Sequence, residues 1–398
     1  MSSQGRSAWA EQLLLEHWWR PQRSWLSWLL LPVAVLYGVL TVLRRLAYRH
    51  HVLRSPDLPV PVVVIGNLVV GGAGKTPTVI ALVKALQAEG WHPAVLSRGY
   101  LRGRAADGRE ADGGLSNAGL SNAGLSDARP SDAGQPGGNS GTKQAASAGR
   151  AVQPQDAATA VGDEPLLIRR RTGVPVWVGR ERGSVARALC ARHPEVDVLL
   201  SDDGLQHHAL QRCAEWVVFD QRGAGNGCLL PAGPLREPLR SPPLQPATWR
   251  RVLYAAAKPS TALPGYCAQR HVREAWPLAA WWAQDHSAVV PLHKMLGPVW
   301  LAAAGIAAPQ KFFDMLRGEG LQIQELALPD HCDFSAGLPW PASCKNVLVT
   351  EKDAVKLKPQ AMGSTQGSTQ IWVVPLDLQL PSELVAELVL VLKSWRRS

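Results

Sequence analysis

Apolar and polar residues alternate in blocks along this chain, and the period of the pattern switches in a regular order. From Pro59 onward, short apolar runs rich in β-branched residues (PVVVIG, HPAVLSRG, VPVWVG, VDVLLSDDG and EWVVFD) are separated by stretches with helical patterning. Strand-length runs alternating with helices predict a mostly parallel sheet covered on both faces. A second series begins near Pro298: VWLAAAGI reads as a strand, PQKFFDMLRGEG as a helix, and KNVLVTEKD and QIWVVPLDL as two further strands. The expected organisation is an N-terminal region over residues 1–55, a main α/β domain over 56–295 and a smaller α/β lobe over 296–398.

Two segments depart from this alternation. No charge occurs between Arg23 and Arg44, and the stretch WLSWLLLPVAVLYGVLTVL is about long enough for a helix to cross a bilayer core. Trp25 and Trp28 stand at one end of it, and Arg44, Arg45 and Arg49 follow the other. That arrangement predicts a membrane-attached helix, either spanning or lying in the plane, with the following chain on the cytoplasmic side. A cleaved signal peptide fits less well, since the segment starts late and no small-residue cleavage site follows it before Arg44. The second departure covers residues 102–157, rich in Gly, Ala, Ser and Asp, with a pentad repeat from Gly114 to Ala133 (GLSNA, GLSNA, GLSDA, RPSDA). Such a composition cannot bury enough apolar surface to offset chain entropy. It reads as a disordered surface insertion that the chemistry does not need. The Pro-rich stretch from Pro231 to Pro246 reads as a loop, because strand-like RRVLYAA follows it directly.

Composition narrows the picture further. With 398 residues and 46% hydrophobic content, the chain can bury a large core. The net charge of +10 suits phosphate ligands and an anionic membrane surface, and nothing resembles a base-reading module, so no nucleic-acid partner is expected. No obligate protein partner is expected either. The six cysteines form no C-x-x-C pair and read as reduced cytosolic thiols. Sixteen tryptophans, several within the first thirty residues, suit either an interfacial protein or an aromatic core.

The chemistry concentrates first at residues 62–86, VVVIGNLVVGGAGKTPTVIALVKAL. An apolar strand enters a glycine-rich turn, which ends in Gly74-Lys75-Thr76 and opens a helix. This is the order of a phosphate-binding P-loop. Exposed backbone N–H groups and the helix dipole attract phosphate oxygens. Lys75 can reach the β- and γ-phosphates, and the Thr76 hydroxyl can hold Mg²⁺. Gly71, Gly72 and Gly74 let the backbone pass close to a ligand, with Ala73 between them. Pro77 fits the first helical turn, where a missing N–H costs nothing. The strict motif is not met, because Val69 occupies the place of its first glycine; a turn used only for close packing is the alternative.

A second signal is VDVLLSDDGLQHH, where an apolar strand runs out into Asp202 and Asp203. A carboxylate at the end of a strand beside a P-loop is where a Mg²⁺ ligand belongs. A solvated Asp-Asp-Gly turn is the plainer reading of the same residues. His207 and His208 lack the spaced partners of a zinc site and read as structural, or as supports for the residues that touch the ligand. Asp163 and Glu164 open a helix, where a carboxylate is often only a cap. His331, between Asp330 and Cys332, reads on its own as a satisfied loop histidine. Arg98 and Arg236 are candidates for phosphate contacts, or for structural ion pairs.

Seven motifs occur in one order: IGNLVVGGAGKTP, LSRGY (Leu96 to Tyr100), GDEP (Gly162 to Pro165), DDGLQH (Asp202 to His207), GNGCLLPAGPLREP (Gly225 to Pro238), LPDHCDF (Leu328 to Phe334) and VTEKDAVKL (Val349 to Leu357). Together they resemble the tetraacyldisaccharide 4′-kinases, the lipid A kinases of Gram-negative bacteria. The resemblance covers nearly the whole chain apart from the insertion. LPAGPLREP is far more specific than a P-loop, and a P-loop with a non-glycine first position is typical of that family.

The resemblance implies a fold of two α/β/α lobes: a P-loop NTPase-like parallel sheet core, a second smaller α/β lobe and an N-terminal membrane helix. It implies transfer of the ATP γ-phosphate to the 4′-hydroxyl of a tetraacylated glucosamine disaccharide 1-phosphate, giving lipid IVA, at the cytoplasmic face of the bacterial inner membrane. By the same resemblance Lys75 and Thr76 bind nucleotide phosphate and Mg²⁺, and Asp202 and Asp203 serve the metal and the phosphoryl site. Asp163 is similar to the family's catalytic carboxylate, and His331 to the histidine that pairs with it to accept the sugar proton. A carboxylate beside an imidazole can share such a proton. The family often carries a second histidine where this chain has Cys332. A membrane-associated P-loop ATPase or GTPase with an assembly role is the alternative function. It leaves LPAGPLREP, GDEP and LPDH unexplained, and no N-K-x-D base-reading motif is present.

Overall fold

The computed structural model describes residues 14–50, 52–53, 55–99, 149–330, 332–334, 337–341, 343–358 and 369–396. The uncharged N-terminal stretch forms one helix, α1 (Trp25–Arg49), capped by the Ser24 side chain. The chain then builds β1 (Val62–Gly66), α2 (Lys75–Ala88), β2 (Pro93–Ser97), β3 (Arg150–Ala151), α3 (Ala158–Val161), α4 (Asp163–Thr172), β4 (Val176–Val178), α5 (Arg182–Arg192), β5 (Val198–Asp202), β6 (Ala214–Phe219), β7 (Trp249–Tyr254) and β8 (Tyr266–Cys267). These strands form one eight-stranded sheet in the order β3-β4-β2-β5-β1-β6-β7-β8. Every pairing in it is parallel except β3 with β4. β1, β2, β5 and β6 are buried at every position, which is why their sequences read as continuous apolar runs. Leu82, Leu86, Val95 and Leu200 pack on one face of the sheet, and Leu96, Val185, Leu189 and Leu199 on the other.

A second sheet follows. Its elements are β9 (Gln269–His271), β10 (Glu274–Pro277), α6 (Leu278–Ala283), β11 (Val290–Pro291), β12 (Val299–Ala304), α7 (Pro309–Gly318), β13 (Gln322–Ala327), β14 (Asn346–Thr350), α8 (Glu351–Ala354), β15 (Gln370–Val374), β16 (Asp377–Gln379) and α9 (Ser382–Trp395). Six of these strands pair in the order β11-β10-β15-β14-β12-β13, while β9 pairs with β16 in a separate ribbon.

Three expectations need correction here. The smaller lobe does not start at 296: β10 and β11 lie before that boundary and pair antiparallel into its sheet. Nor does the stretch to 398 stay within that lobe, because α9 returns to pack on α2 of the first. The expected insertion over 102–157 ends sooner. Residues 101–148 lie outside the described residues, but the chain from Gly149 belongs to the sheet, with Arg150 and Ala151 paired to β4 and Val152 buried.

The helix α1 is docked along one stripe. Ser27, Ala34 and Gly38 are its buried residues, and they meet the loop carrying Cys228, Leu229 and Ala232. A Cβ on Gly38 would stand 2.8 Å from Leu229. The other faces of α1 expose Trp25, Trp28, Leu29, Val33, Leu36, Leu40 and Leu43. Polar ties run from the helix to the same loop: Asn226 Nδ2 donates to Ser27 Oγ at 3.0 Å, Tyr37 Oη donates to the Arg236 carbonyl at 3.0 Å, and Arg45 pairs with Glu237.

Candidate active site

In a parallel sheet, ligands gather at the carboxyl ends of the strands. Here β1 lies between β5 and β6, and Ile65 is in register with Asp202. The glycine-rich turn and the Asp-Asp pair therefore emerge side by side. Gly74 is the residue before α2 and has φ of 88°, in the left-handed region that glycine enters freely. Lys75 is the first helical residue. Its Nζ bonds Asn67 Oδ1 at 3.2 Å and pairs with Asp203 at 3.4 Å. Asn67 Nδ2 in turn donates to the Gly71 carbonyl at 3.0 Å, bracing the turn. Ala73 is fully buried, Gly71 and Gly72 are exposed, and Thr76 and Pro77 are half-buried in the first turn of the helix.

The LPAGPLREP block lies directly against this turn. Val70 N–H donates to the Pro234 carbonyl at 2.9 Å, and Arg236 N–H to the Leu68 carbonyl at 2.7 Å. The side chain of Arg236 reaches Asp203 at 3.2 Å and Gln206 at 3.3 Å. Asp203 is thus held between two cations. Burial works against its charge, but Lys75, Arg236 and Arg182 prevail and hold its carboxyl below the usual range.

Asp202 differs in kind. It is 2% exposed, and its Oδ1 has no hydrogen-bond partner among the described residues. Burial pushes its carboxyl up to about 7, with the negative charge of Glu164 adding to the effect. The two neighbouring aspartates, which the sequence treats alike, are therefore one ion-paired carboxylate and one unsatisfied one. Gly204, next to them, cannot carry a side chain, since a Cβ would stand 2.6 Å from Ser201 Oγ and 2.9 Å from Arg182.

Asp163 opens α4 as expected and is 7% exposed. Its neighbour Glu164 faces the second lobe, where Lys352 Nζ lies 3.4 Å from Glu164 and 3.9 Å from Asp330. Burial would lower the pKa of Lys352, but Glu164, Asp163 and Asp330 together raise it. Lys352 thus ties the GDEP helix to the LPDH loop across the two lobes. His331 itself lies outside the described residues, and Asp330 and Cys332 flank it. Arg98 is exposed at the end of β2, beside Arg182.

Several residues that shape the site carry no role in the sequence reading. Asn67 and Lys352 lie inside quoted motifs, where their position could have flagged them. Arg182 is buried behind Ser201, to which it donates at 2.7 Å, and nothing local in its helix signals this. The two histidines sit in different environments. His208 is buried 3.6 Å from Glu237. Burial takes His207 down to about 4, so it stays neutral.

A glycine-rich turn opening a helix, a buried carboxylate at the adjoining strand end and an interlocked LPAGPLREP loop occur together, and comparison with known proteins gives the family. The sequence profile of the tetraacyldisaccharide-1-P 4′-kinase family matches residues 26–117 and 141–393. The chain belongs to this family. It is 46% identical over 94% of its length to the tetraacyldisaccharide 4′-kinase of Methylibium petroleiphilum, covering 91% of that protein. It is 45% identical over 95% of its length to the enzyme of the same name from Leptothrix cholodnii, covering 97% of it. Among solved structures it is similar to LpxK from Aquifex aeolicus in complex with ATP, with a TM-score of 0.64 and 23% identity over 92% of this chain and 99% of that one. At that identity the likeness establishes the shared fold.

The matched profile skips residues 118–140, which lie inside the low-complexity stretch. Deleting 118–140 is therefore expected to leave melting temperature and turnover within about twofold of wild type, because this composition supplies little apolar burial. A folded but inactive deletion would contradict that.

Proposed function

We propose that this chain transfers the γ-phosphate of ATP to the 4′-hydroxyl of a tetraacylated glucosamine disaccharide 1-phosphate, the lipid IVA-forming step of lipid A biosynthesis. The observation that carries this reading is the docking of the LPAGPLREP loop onto the P-loop, which places Arg236, Asp203 and Lys75 in one ion-paired row. The Asp203 carboxylate pairs with Lys75, and a phosphate oxygen is a stronger claimant for the same ammonium. The amides of Gly71 to Thr76 and the N-terminus of α2 add donors around it.

Mg²⁺ fits this donor set. The buried Asp202 Oδ1, with no hydrogen-bond partner among the described residues, is a hard oxygen donor, and Thr76 adds a hydroxyl from the first turn of the adjoining helix. Bound there with ATP, the ion would neutralise phosphate charge during transfer. Asp203, already committed to Lys75 and Arg236, serves the phosphoryl site by orienting those two cations.

Asp163 is the group we assign to accept the proton of the sugar hydroxyl, with His331 as its partner. Lys352 supports the pairing by joining Glu164, next to Asp163, to Asp330, next to His331. Arg236 and Arg98 are assigned to substrate or nucleotide phosphate. Positioning and charge neutralisation supply most of the acceleration in such transfers.

The acceptor is a lipid, and exposing each buried CH₂ to water costs about 0.8 kcal/mol, so the enzyme must work at the bilayer. α1 supplies the means. Its small-residue stripe is occupied by the loop carrying Asn226, Cys228, Leu229 and Ala232, and it exposes Trp25, Trp28, Leu29, Val33, Leu36 and Leu40. A helix held along one side by its own soluble body favours lying in the cytoplasmic leaflet of the inner membrane over crossing it. One experiment tests the whole reading: vesicles carrying the tetraacyl disaccharide 1-phosphate, purified enzyme and labelled Mg-ATP. The enzyme is expected to float with the vesicles and to place label at the 4′ position. Label elsewhere, or none, would overturn it.

A further inference from the structure

The carboxyl end of β6 carries Asp220, 1% exposed, which the proposed chemistry does not use. Two cations pair with it: Arg222 Nε at 2.9 Å and Lys311 Nζ at 2.8 Å. They come from different lobes, Arg222 from the loop after β6 and Lys311 from the first turn of α7 in the second lobe. A third cation, Arg270, sits on β9 of the separate β9–β16 ribbon and is close enough to feel both Asp220 and Arg222.

Two of them reach the phosphate loop directly, and Lys311 joins them through Asp220. Arg222 Nη2 donates to the Gly72 carbonyl at 2.5 Å. Arg270 Nη2 lies 2.9 Å from where a Cβ on Gly74 would stand. Its Nε is buried and has no hydrogen-bond partner among the described residues. Three positive groups around one carboxylate leave an excess of two positive charges in a largely desolvated place. Crowded like charges in low dielectric are unfavourable unless an anion joins them. Burial already lowers the proton affinity of Arg270 and Lys311. The pairing of Leu378 with Arg270 in the β9–β16 ribbon fixes the backbone that carries the guanidinium, so its position is set before any ligand arrives.

We propose that Arg270, together with Lys311 of the second lobe, binds the polyphosphate of the nucleotide and completes from the far side the site that Lys75 opens. This rests on the P-loop reading of the nucleotide site. Arg222 has a different part. It is spent on Asp220 and the Gly72 carbonyl, and braces the loop. The ligand chemistry is that of a chain of phosphates, so the effect must grow with phosphate number.

The test is equilibrium binding of ATP, ADP and AMP to the full-length protein in detergent, with melting temperature measured alongside. Arg270→Gln keeps much of the length and loses the charge. It is expected to weaken ATP binding about tenfold to a hundredfold, the range of a lost charge-assisted hydrogen bond, with a smaller loss for ADP and none for AMP. Arg270→Lys should recover part of the loss. Lys311→Ala should reproduce the graded pattern, since Asp220 keeps Arg222. Wild-type affinity for ATP in folded Arg270→Gln, or an equal loss for all three nucleotides, would overturn the proposal. Lys75→Ala is measured in parallel: undiminished ATP binding there would sink the P-loop reading itself, a failure distinct from that of Arg270.

Discussion

Lys75→Ala is expected to reduce phosphoryl transfer by at least about 10²–10³-fold, the cost of removing one preorganised group aimed at developing charge. It is also expected to weaken ATP binding. The reason lies in what surrounds the ammonium. Lys75 stands at the first residue of α2, where the helix dipole and free amides already favour an anion, and Asn67 and Asp203 hold it at 3.2 and 3.4 Å. Removing it does more than delete a charge. Asp203 keeps Arg236, and Asn67 loses the ammonium that holds its side-chain oxygen while its own amide still donates to the Gly71 carbonyl. Both turnover and nucleotide affinity should therefore fall, whereas affinity for the lipid acceptor should hold. Steady-state kinetics with each substrate varied, together with direct nucleotide binding, separates these effects. Normal ATP affinity in the folded Lys75→Ala variant would remove the foundation of the site.

Asp163→Asn should lower turnover by about 10²–10⁴-fold, the usual contribution of a positioned general base, while leaving the KM for ATP near wild type. The substitution preserves shape at the start of α4. Glu164 and Lys352 can keep their ion pair, so the link between lobes survives. Asp163 is nearly buried and lies within reach of the field of Lys352, in contrast to an exposed helix cap. A cap alone would cost about 1 kcal/mol of stability and would not slow the chemical step. The discriminating readout is single-turnover transfer at saturating ATP. Wild-type rates in the folded Asp163→Asn variant would assign the base elsewhere.

Much of the first lobe was legible because its strands are buried on both faces. Val62 to Ile65 and Val198 to Leu200 present unbroken apolar runs, and the P-loop and Asp-Asp motifs mark where those runs end. The lobe boundary was not legible, because β10 joins its sheet by pairing with β15, nearly a hundred residues later. No local pattern records that pairing. β13 was missed for another reason: at the sheet edge its sequence QIQELA is largely exposed and polar, so it lacks the apolar signature of a buried strand. The end of the insertion was misplaced because β3 spans only Arg150 and Ala151, too short to show a period.

The site divides in the same way. Lys75, Asp202, Asp203 and Arg236 are adjacent in space because strand order and one loop bring together motifs that the sequence displays openly. What sequence could not reveal was the inequality of the two aspartates. That follows from Asp202 lying at the buried end of β5, in register with Ile65, while Asp203 turns out with φ of 49° toward Lys75 and Arg236. Arg270 and Lys311 were silent because each is a lone cation in its own segment. Only the approach of the ribbon and the second lobe to Gly74 and Asp220 gives them a shared neighbour.

Co-crystallisation with a non-hydrolysable ATP analogue tests most directly where the triphosphate sits. The expected result is a phosphate tail against the amides of Gly71 to Thr76, with the Lys75 ammonium moved from Asp203 onto phosphate oxygens. A tail bound away from this turn, with the Lys75–Asp203 pair intact, would contradict it.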